Sequence, residues 1–111
     1  MKSFSLATFV DGWLVGDFSP SILRTAEIEI GLKTFESGAV EPCHFQERAT
    51  EITAVIEGEI LLAGCRFSAG EVALIEPGEH ANFLSVSNSK LLVIKFPSVP
   101  ADKIVCGVCE L

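Results

Sequence analysis

The second half of the chain consists of short apolar runs separated by turn residues. The runs cover residues 52–56, 59–63, 71–75 and 90–96. The turns between them contain Gly58, Gly64, Gly70, Pro77 and Gly78. A turn signal every eight to twelve residues or so is typical of an all-β barrel or sandwich, and no stretch of the chain keeps a helical period. The sequence therefore predicts an all-β fold.

Two kinds of strand are predicted. Between residues 26 and 35, Ile28, Ile30 and Leu32 alternate with Glu27, Glu29 and Lys33. This period of two predicts a strand with one solvated face. The runs after residue 51 are apolar at consecutive positions, so both of their faces are expected to be covered. One face would fill a barrel, and a second copy of the chain in a homodimer is the simplest cover for the other.

The length of 111 residues predicts a single domain, 1–111, with a single core. We expect the barrel core at about residues 26–96, with N-terminal strands within residues 4–23 and a C-terminal tail, 97–111, packing on it. The prolines between residues 96 and 102 should take the chain out of the sheet. The residues that follow are expected either to pair as an edge strand or to fray.

The net charge of −7 argues against nucleic acid or an anionic membrane as partner, because both select for clustered Lys and Arg. The apolar runs are far shorter than the roughly 20 residues that span a bilayer. The N-terminal segment has one Lys and is interrupted by Asp11 and Gly12, which is not typical of a signal peptide. A cytoplasmic location is therefore predicted.

The four cysteines are Cys43, Cys65, Cys106 and Cys109. In a cytoplasmic protein they are expected to be reduced thiols. Cys106 and Cys109 form a lone CxxC pair, which cannot by itself supply the four ligands of a structural zinc site. It lies at the C-terminus rather than at a strand-to-helix junction, so it is interpreted as part of a terminal strand or tail.

Three side chains with metal-ligand chemistry lie close together ahead of an apolar run. His44 and Gln46 are two residues apart, so in a strand they point to the same face. A turn through residues 47–49 could bring Glu51 back beside them. The chain's other histidine is His80. This pattern predicts a polar pocket.

The spacing of these residues resembles the first motif of the cupins, G-x5-H-x-H-x4-E-x6-G. The matching stretch runs from Gly38 to Gly58, with Gln46 in place of the second His. A second stretch, GEVALIEPGEHANF, is similar to the family's G-x5-P-x-G-x2-H-x3-N. Here Glu76 stands at the Pro position, and His80 comes one residue early. The resemblance covers roughly residues 28–96. Within the family, the sequence is similar to a group of small single-domain cupins whose members are mostly of unassigned function.

The resemblance implies a small jelly-roll β-barrel of two antiparallel sheets. It also implies that His44, Gln46, Glu51 and His80 face inward and ligate one divalent metal ion, with positions left open for substrate. Mn, Fe, Ni and Zn are the candidate ions. The alternative is a wet pocket without an ion, which Gln46 and the shortened turn before His80 favour. Glu79 is the nearest substitute ligand if His80 points elsewhere.

Several neighbours of these residues are predicted to line the pocket. Thr53 and Val55 share the face of Glu51, and Asn82 shares the face of His80. Phe83, on the opposite face, is expected to pack instead. Cys43 should likewise point away from His44, which argues against a Cys–His nucleophile.

Two further residues have open interpretations. Arg48 could bind a substrate carboxylate or phosphate, or remain a solvated loop cation. Trp13, the only tryptophan, either covers one end of the barrel or lines a sugar site.

Three functions fit this pattern. The first is a metal-dependent isomerase, lyase or dioxygenase, in which the ion polarises a sugar or keto-acid type substrate. The second is a non-catalytic module that binds a small polar molecule, with or without an ion. The third is a structural dimer with a vestigial pocket. A second inward acid or base would favour the enzyme, and no such residue is evident from the sequence.

Overall fold

Two β-sheets packed face to face make up most of the fold. The structure is a computed structural model that describes residues 1–107. Its strands are β1 (Trp13–Gly16), β2 (Leu23–Arg24), β3 (Glu29–Phe35), β4 (Val40–Gln46), β5 (Thr50–Glu57), β6 (Glu59–Leu62), β7 (Cys65–Ser68), β8 (Val72–Ile75), β9 (Ala81–Ser85), β10 (Ser89–Phe96) and β11 (Lys103–Val105). The prediction of an all-β fold is confirmed.

The order of the strands shows how the chain winds between the sheets. One sheet has the order β2-β1-β3-β10-β5-β8 and the other β11-β4-β9-β6-β7. Strands far apart in sequence, such as β3 and β10 or β4 and β9, are neighbours and pair antiparallel. The short pair of β1 and β2 is parallel. This is the two-sheet jelly roll that the sequence predicted.

The hydrophobic core lies between the two sheets. Alternate side chains of the central strands point into it, as period-two geometry requires. The buried cluster consists of Val55, Ile60, Leu62, Ala73, Ala81, Phe83, Leu91 and Val93. Both sheets contribute to this cluster, so it joins them into one unit.

The side of the six-stranded sheet that faces away from the core is also apolar. In the ladders Ile52 lies opposite Leu74 and Ile94, while Ala54 lies opposite Val72 and Leu92. These side chains are half-buried or exposed; Val72 is 59% exposed and Leu74 60%. We call this surface, formed by Ile52, Ala54, Val72, Leu74, Leu92 and Ile94, the outer face.

Strand β3 differs from the prediction in the side that its charged residues occupy. Glu29 and Lys33 line a cavity inside the barrel, whereas Ile30 and Leu32 pair with Ile94 and Leu92 at the outer face. The predicted alternation is present, but the charged side is the interior one. Period two identifies two faces and does not say which of them meets water.

The ends of the chain extend both sheets. Two 3-10 turns, Leu6–Thr8 and Val10–Gly12, precede β1, and β11 pairs with β4 as an edge strand. No helix within residues 1–107 is long and apolar enough to cross a membrane. The proposed division into a barrel core and flanking segments stays a prediction.

Candidate functional site

A cavity of about 250 Å³ lies between the two sheets. Its apolar part is formed by Phe35, Leu62, Phe83, Leu91 and Val93. Its charged part contains three carboxylates and three ammonium groups: Glu29, Glu41, Glu51, Lys33, Lys95 and Lys103. Trp13, His44 and Thr53 complete the lining. Five of these charged residues are half-buried and Lys103 is exposed. A lining this rich in charge is unusual for a structural core, because charged groups are rarely removed from water without a partner or a role.

A row of three charged residues crosses the cavity wall. In the ladders, Lys95 on β10 lies directly opposite Glu29 on β3 and Glu51 on β5. The Lys95 Nζ is 3.9 Å from Glu51 Oε1, and these side chains are only 15% and 12% exposed. Glu51 Oε2 also accepts a hydrogen bond of 2.8 Å from the Thr53 hydroxyl. Glu51 is therefore held in place by two neighbours.

Glu41 and His44 on strand β4 both line the cavity, although residues three positions apart in a regular strand point to opposite faces. The register of β4 against β9 shifts between Glu41 and His44, and such a bulge lets residues of unlike parity face the same side. The His44 Nδ1 is 2.9 Å from the Pro42 carbonyl oxygen. Because a carbonyl only accepts, Nδ1 is the donor, and Nε2 of the neutral ring is the acceptor.

Lys33 is a half-buried cation in the lining of the cavity. Burial lowers the pKa of its ammonium below 10.5, while the negative charges of Asp11 and Glu41 oppose the shift. Its Nζ donates a hydrogen bond of 2.6 Å to the Asp11 carbonyl. It also lies 4.8 Å from the centre of the Trp13 ring, and Lys95 lies 5.1 Å from it. Trp13 thus lines the site together with two cations, as cation–π contacts favour.

The position of Trp13 depends on a glycine across the ladder. Gly31 lies opposite Trp13, and a Cβ at Gly31 would come within 2.7 Å of the indole ring. Only a residue without a side chain leaves room for the indole in this position. Trp13 lines the cavity, and its two interpretations, as the cover of a barrel end or as part of a sugar site, both stay predictions.

The four residues predicted as metal ligands are not gathered around one point. His44 and Glu51 line the cavity. Gln46 is buried beside a smaller neighbouring cavity of about 80 Å³. His80 is exposed, and its ring stacks on Phe45 at 4.9 Å and 8°. In this arrangement the donor set does not fit a single ion, because two ligands are too few and Lys95 lies beside one of them. The four-ligand site stays a prediction.

The predicted pocket residues are also divided. Thr53 lines the cavity, whereas Val55 is in the core cluster. Arg48 is exposed and is not among the lining residues. On β9 the side chain that lines the cavity is Phe83 rather than Asn82, because Ala81, Phe83 and Ser85 are the residues of that strand that point inward.

Sequence reasoning missed most of the charged lining. The alternating pattern of β3 predicts that Glu29 and Lys33 face solvent, whereas both line the cavity. Lys95 and Lys103 gave no signal of their own. The sequence signal for this lining is strand β3, which carries Glu29 and Lys33 on one face and Ile30 and Leu32 on the other. The signal can be interpreted only when it is known that the apolar side lies at the outer face.

A second group of ligating side chains lies outside this cavity. Ligand atoms of Cys43, His80 and Cys106 lie within 4.8 Å of one another. Cys43 is disulfide-bonded, whereas Cys65 and Cys106 are free thiols. The expectation of reduced cysteines therefore fails for Cys43. Cys109, the second member of the CxxC pair, lies outside the described residues.

Comparison with known proteins supports the fold. No family model and no curated protein matches the sequence. A Klebsiella pneumoniae protein with a double-stranded β-helix domain aligns with a TM-score of 0.67 at 17% identity, over 73% of this chain and 71% of that one. A cupin-2 domain protein from Shewanella frigidimarina gives 0.58 at 20%, over 65% and 72%. The DMSP lyase DddQ from Ruegeria pomeroyi gives 0.69 at 17%, over 84% and 49%. The chain has the cupin fold.

Proposed function

We propose that this cupin-fold chain binds a small acidic molecule, of the sugar-acid or keto-acid type, in the barrel cavity. The observation that carries the proposal is the half-buried row of Glu29, Lys95 and Glu51, which lines the same cavity as Lys33 and Trp13. The cavity volume of about 250 Å³ lies just below the roughly 300–1,000 Å³ of ordinary ligand pockets. A small metabolite rather than a polymer is the matching size.

Each part of such a molecule has a counterpart in the cavity. A ligand carboxylate would accept charge-assisted hydrogen bonds from Lys33 and Lys95. Ligand hydroxyl groups would donate to Glu29 and Glu51. The face of Trp13 and the apolar wall would cover the carbon skeleton, as aromatic rings do in small-molecule sites. Neutral sugars would leave the buried ammonium groups without a new partner.

Isothermal titration calorimetry with a panel of 2-keto acids, sugar acids and the corresponding neutral sugars tests this proposal. We expect acids to bind and neutral analogues to bind at least about tenfold more weakly, because a hydrogen bond to a charged group contributes roughly 1.5–3 kcal/mol. Lys95→Met should remove this preference. Lys90→Met is the matched control, because Lys90 is on the same strand and does not line the cavity. Equal binding of acids and neutral sugars would contradict the proposal.

A catalytic role is the second candidate, and Lys33 is the observation that favours it. A lysine whose pKa is lowered by burial is a better general acid or base near neutral pH than an ordinary lysine. In this second function, Lys33 would be the inward acid–base group that is not evident from the sequence. Lys33→Met should bind such an acid more weakly, so turnover is compared at acid concentrations that saturate each protein. Loss of turnover in the saturated variant would support this second function.

A divalent ion in the barrel, Mn, Fe, Ni or Zn, is retained as a separate proposal that requires side chains to move. His44 and Glu51 would be two of its ligands, at least one further ligand would have to move into the cavity, and the ion would supply a Lewis acid. Elemental analysis of wild-type protein and His44→Ala tests it. An ion that is lost in the variant supports a barrel site, and an ion content that is the same in both counts against it.

We further propose that a second copy of the chain covers the outer face. An antiparallel sheet commonly has one solvated, polar side, whereas here six neighbouring apolar side chains form that side. Large exposed apolar patches mark interaction surfaces. A homodimer across a two-fold axis needs only that this one surface be self-complementary.

A further inference from the structure

We propose that Cys43, His80 and Cys106 form a binding site for a thiophilic metal ion, with Zn²⁺ as the probe, that becomes available when the Cys43 disulfide is reduced. The site is separate from the barrel cavity, because none of the three residues lines that cavity. It does not depend on the proposed function.

Strand pairing brings the two cysteines together. Val105 on β11 lies opposite His44 on β4, so the next residue, Cys106, falls beside Cys43. The Cys106 N–H donates to the Cys43 carbonyl at 2.9 Å. Both side chains then project from the same side of the ladder, away from the side that His44 occupies. The Cys106 Sγ lies 2.9 Å from the Cys43 Sγ.

The third ligand comes from the start of β9. Ala81 lies opposite His44, which places His80 next to Phe45 on the neighbouring strand. The stacking of the two rings, nearly parallel at 8°, restricts the rotation of the imidazole. Its Nδ1 is 3.7 Å from the Cys106 Sγ. His80 thus contacts Cys106 and is not among the residues that line the barrel cavity.

The spacing of these atoms is near that of a tetrahedral zinc site. Zn–S bonds of about 2.3 Å and Zn–N bonds of about 2.0–2.1 Å at tetrahedral angles imply S···N distances of about 3.5 Å and S···S distances of about 3.8 Å. The observed S···N distance of 3.7 Å already fits. The two sulfurs, at 2.9 Å, must separate by nearly 1 Å, which a change in side-chain rotamer can supply.

Reduction is required because a disulfide sulfur carries no thiolate charge. Two molecules of a small thiol reduce the Cys43 disulfide: they become one molecule of their own disulfide, and two protein thiols form. Binding of the ion then displaces the protons of Cys43 and Cys106 to solvent, because the thiolate is the ligand. Two thiolates and one imidazole form a soft donor set, which selects Zn²⁺ or Cu⁺ over Mn²⁺ or Mg²⁺.

The chemistry predicts mutually exclusive states. Oxidised protein holds Cys43 in a disulfide and leaves two ligands of this cluster, Cys106 and His80, while reduced protein offers all three. Metal binding would therefore report the redox state of Cys43.

The test uses the full chain. The protein is reduced with a thiol, the thiol is removed under anaerobic conditions, and Zn²⁺ is then titrated in competition with a chromogenic zinc chelator. We expect one ion per chain in reduced wild type and none in oxidised protein. Cys106→Ser and His80→Ala should lose stoichiometric Zn²⁺ binding. When Co²⁺ replaces Zn²⁺ as the probe, reduced wild type should show a thiolate-to-cobalt charge-transfer absorption that both variants lack. Cys65→Ser is the matched control, because Cys65 is an exposed free thiol outside the cluster, and it should bind as wild type does.

Circular dichroism of each variant confirms folding, and an exposed His80 makes His80→Ala the variant least liable to misfold. Absence of Zn²⁺ binding in reduced wild type, or full binding in folded His80→Ala, would overturn the proposal. His44→Ala separates the two metal proposals: an ion in the barrel is lost in His44→Ala, whereas an ion at the cysteines is retained.

Discussion

Lys33 shows how one residue connects the chemistry of the cavity with the stability of the fold. Its ammonium is half-buried, donates to the Asp11 carbonyl and lies against Trp13. These contacts compensate only part of the cost of taking a charge from water, and its pKa is lowered accordingly. A ligand carboxylate would complete the compensation, which is why an acidic ligand fits this position.

The pH dependence of stability should reveal this cost. Between the lowered pKa of Lys33 in the folded chain and 10.5 in the unfolded chain, the unfolded chain binds more protons. The contribution of Lys33 to the free energy of unfolding therefore rises with pH in that window. In Lys33→Met this contribution is absent, so the stability of the variant relative to wild type should fall as pH rises toward 10.5. Urea denaturation of both proteins across the alkaline range measures it, and a pH-independent difference would contradict the assignment.

At the scale of elements, Asp102 links the segment after β10 to the turn between β4 and β5. It is 5% exposed, and its carboxylate accepts hydrogen bonds from the backbone N–H groups of Arg48 and Ala49 at 2.9–3.1 Å. Its carbonyl accepts a third bond, from the N–H of Glu47. The turn that brings Glu51 back toward His44 is thus held by a residue about fifty positions away.

Asp102→Ala should leave two backbone donors of this turn without a partner. We expect the free energy of unfolding to fall by about 1.5–3 kcal/mol, the usual range for a hydrogen bond to a charged group. Asp102→Asn keeps one acceptor and the side-chain size, so its loss should be smaller. Chemical denaturation measures both variants. A loss below about 0.5 kcal/mol, the level of an ordinary surface substitution, would show that the turn forms without Asp102.

At the scale of the whole molecule, substitutions at the outer face test whether the chain is a monomer or a homodimer. Leu74→Lys places a charge on this face, where Leu74 is 60% exposed in the single chain. If two copies bury this surface, the charge loses its hydration there and the dimer dissociates. Light scattering after gel filtration should give about twice 11.9 kDa for wild type and about 11.9 kDa for the variant.

Val40→Lys is the control for this experiment. Val40 is even more exposed, at 71%, and belongs to the other sheet. It should leave the mass of the assembly unchanged. A wild-type protein that is monomeric at all concentrations would contradict the pairing of outer faces.

The sequence by itself determined the secondary structure class, the two-sheet barrel and the presence of His44, Glu51 and Thr53 at its cavity. These follow from local rules: turn residues at short intervals, period two within strands, and a resemblance carried by spacing. Only the tertiary structure decided which side of β3 is interior, how the bulge in β4 admits Glu41, and why His80 joins two cysteines. Those outcomes depend on which strands become neighbours, and strand pairing joins residues whose distance along the chain carries no local signal.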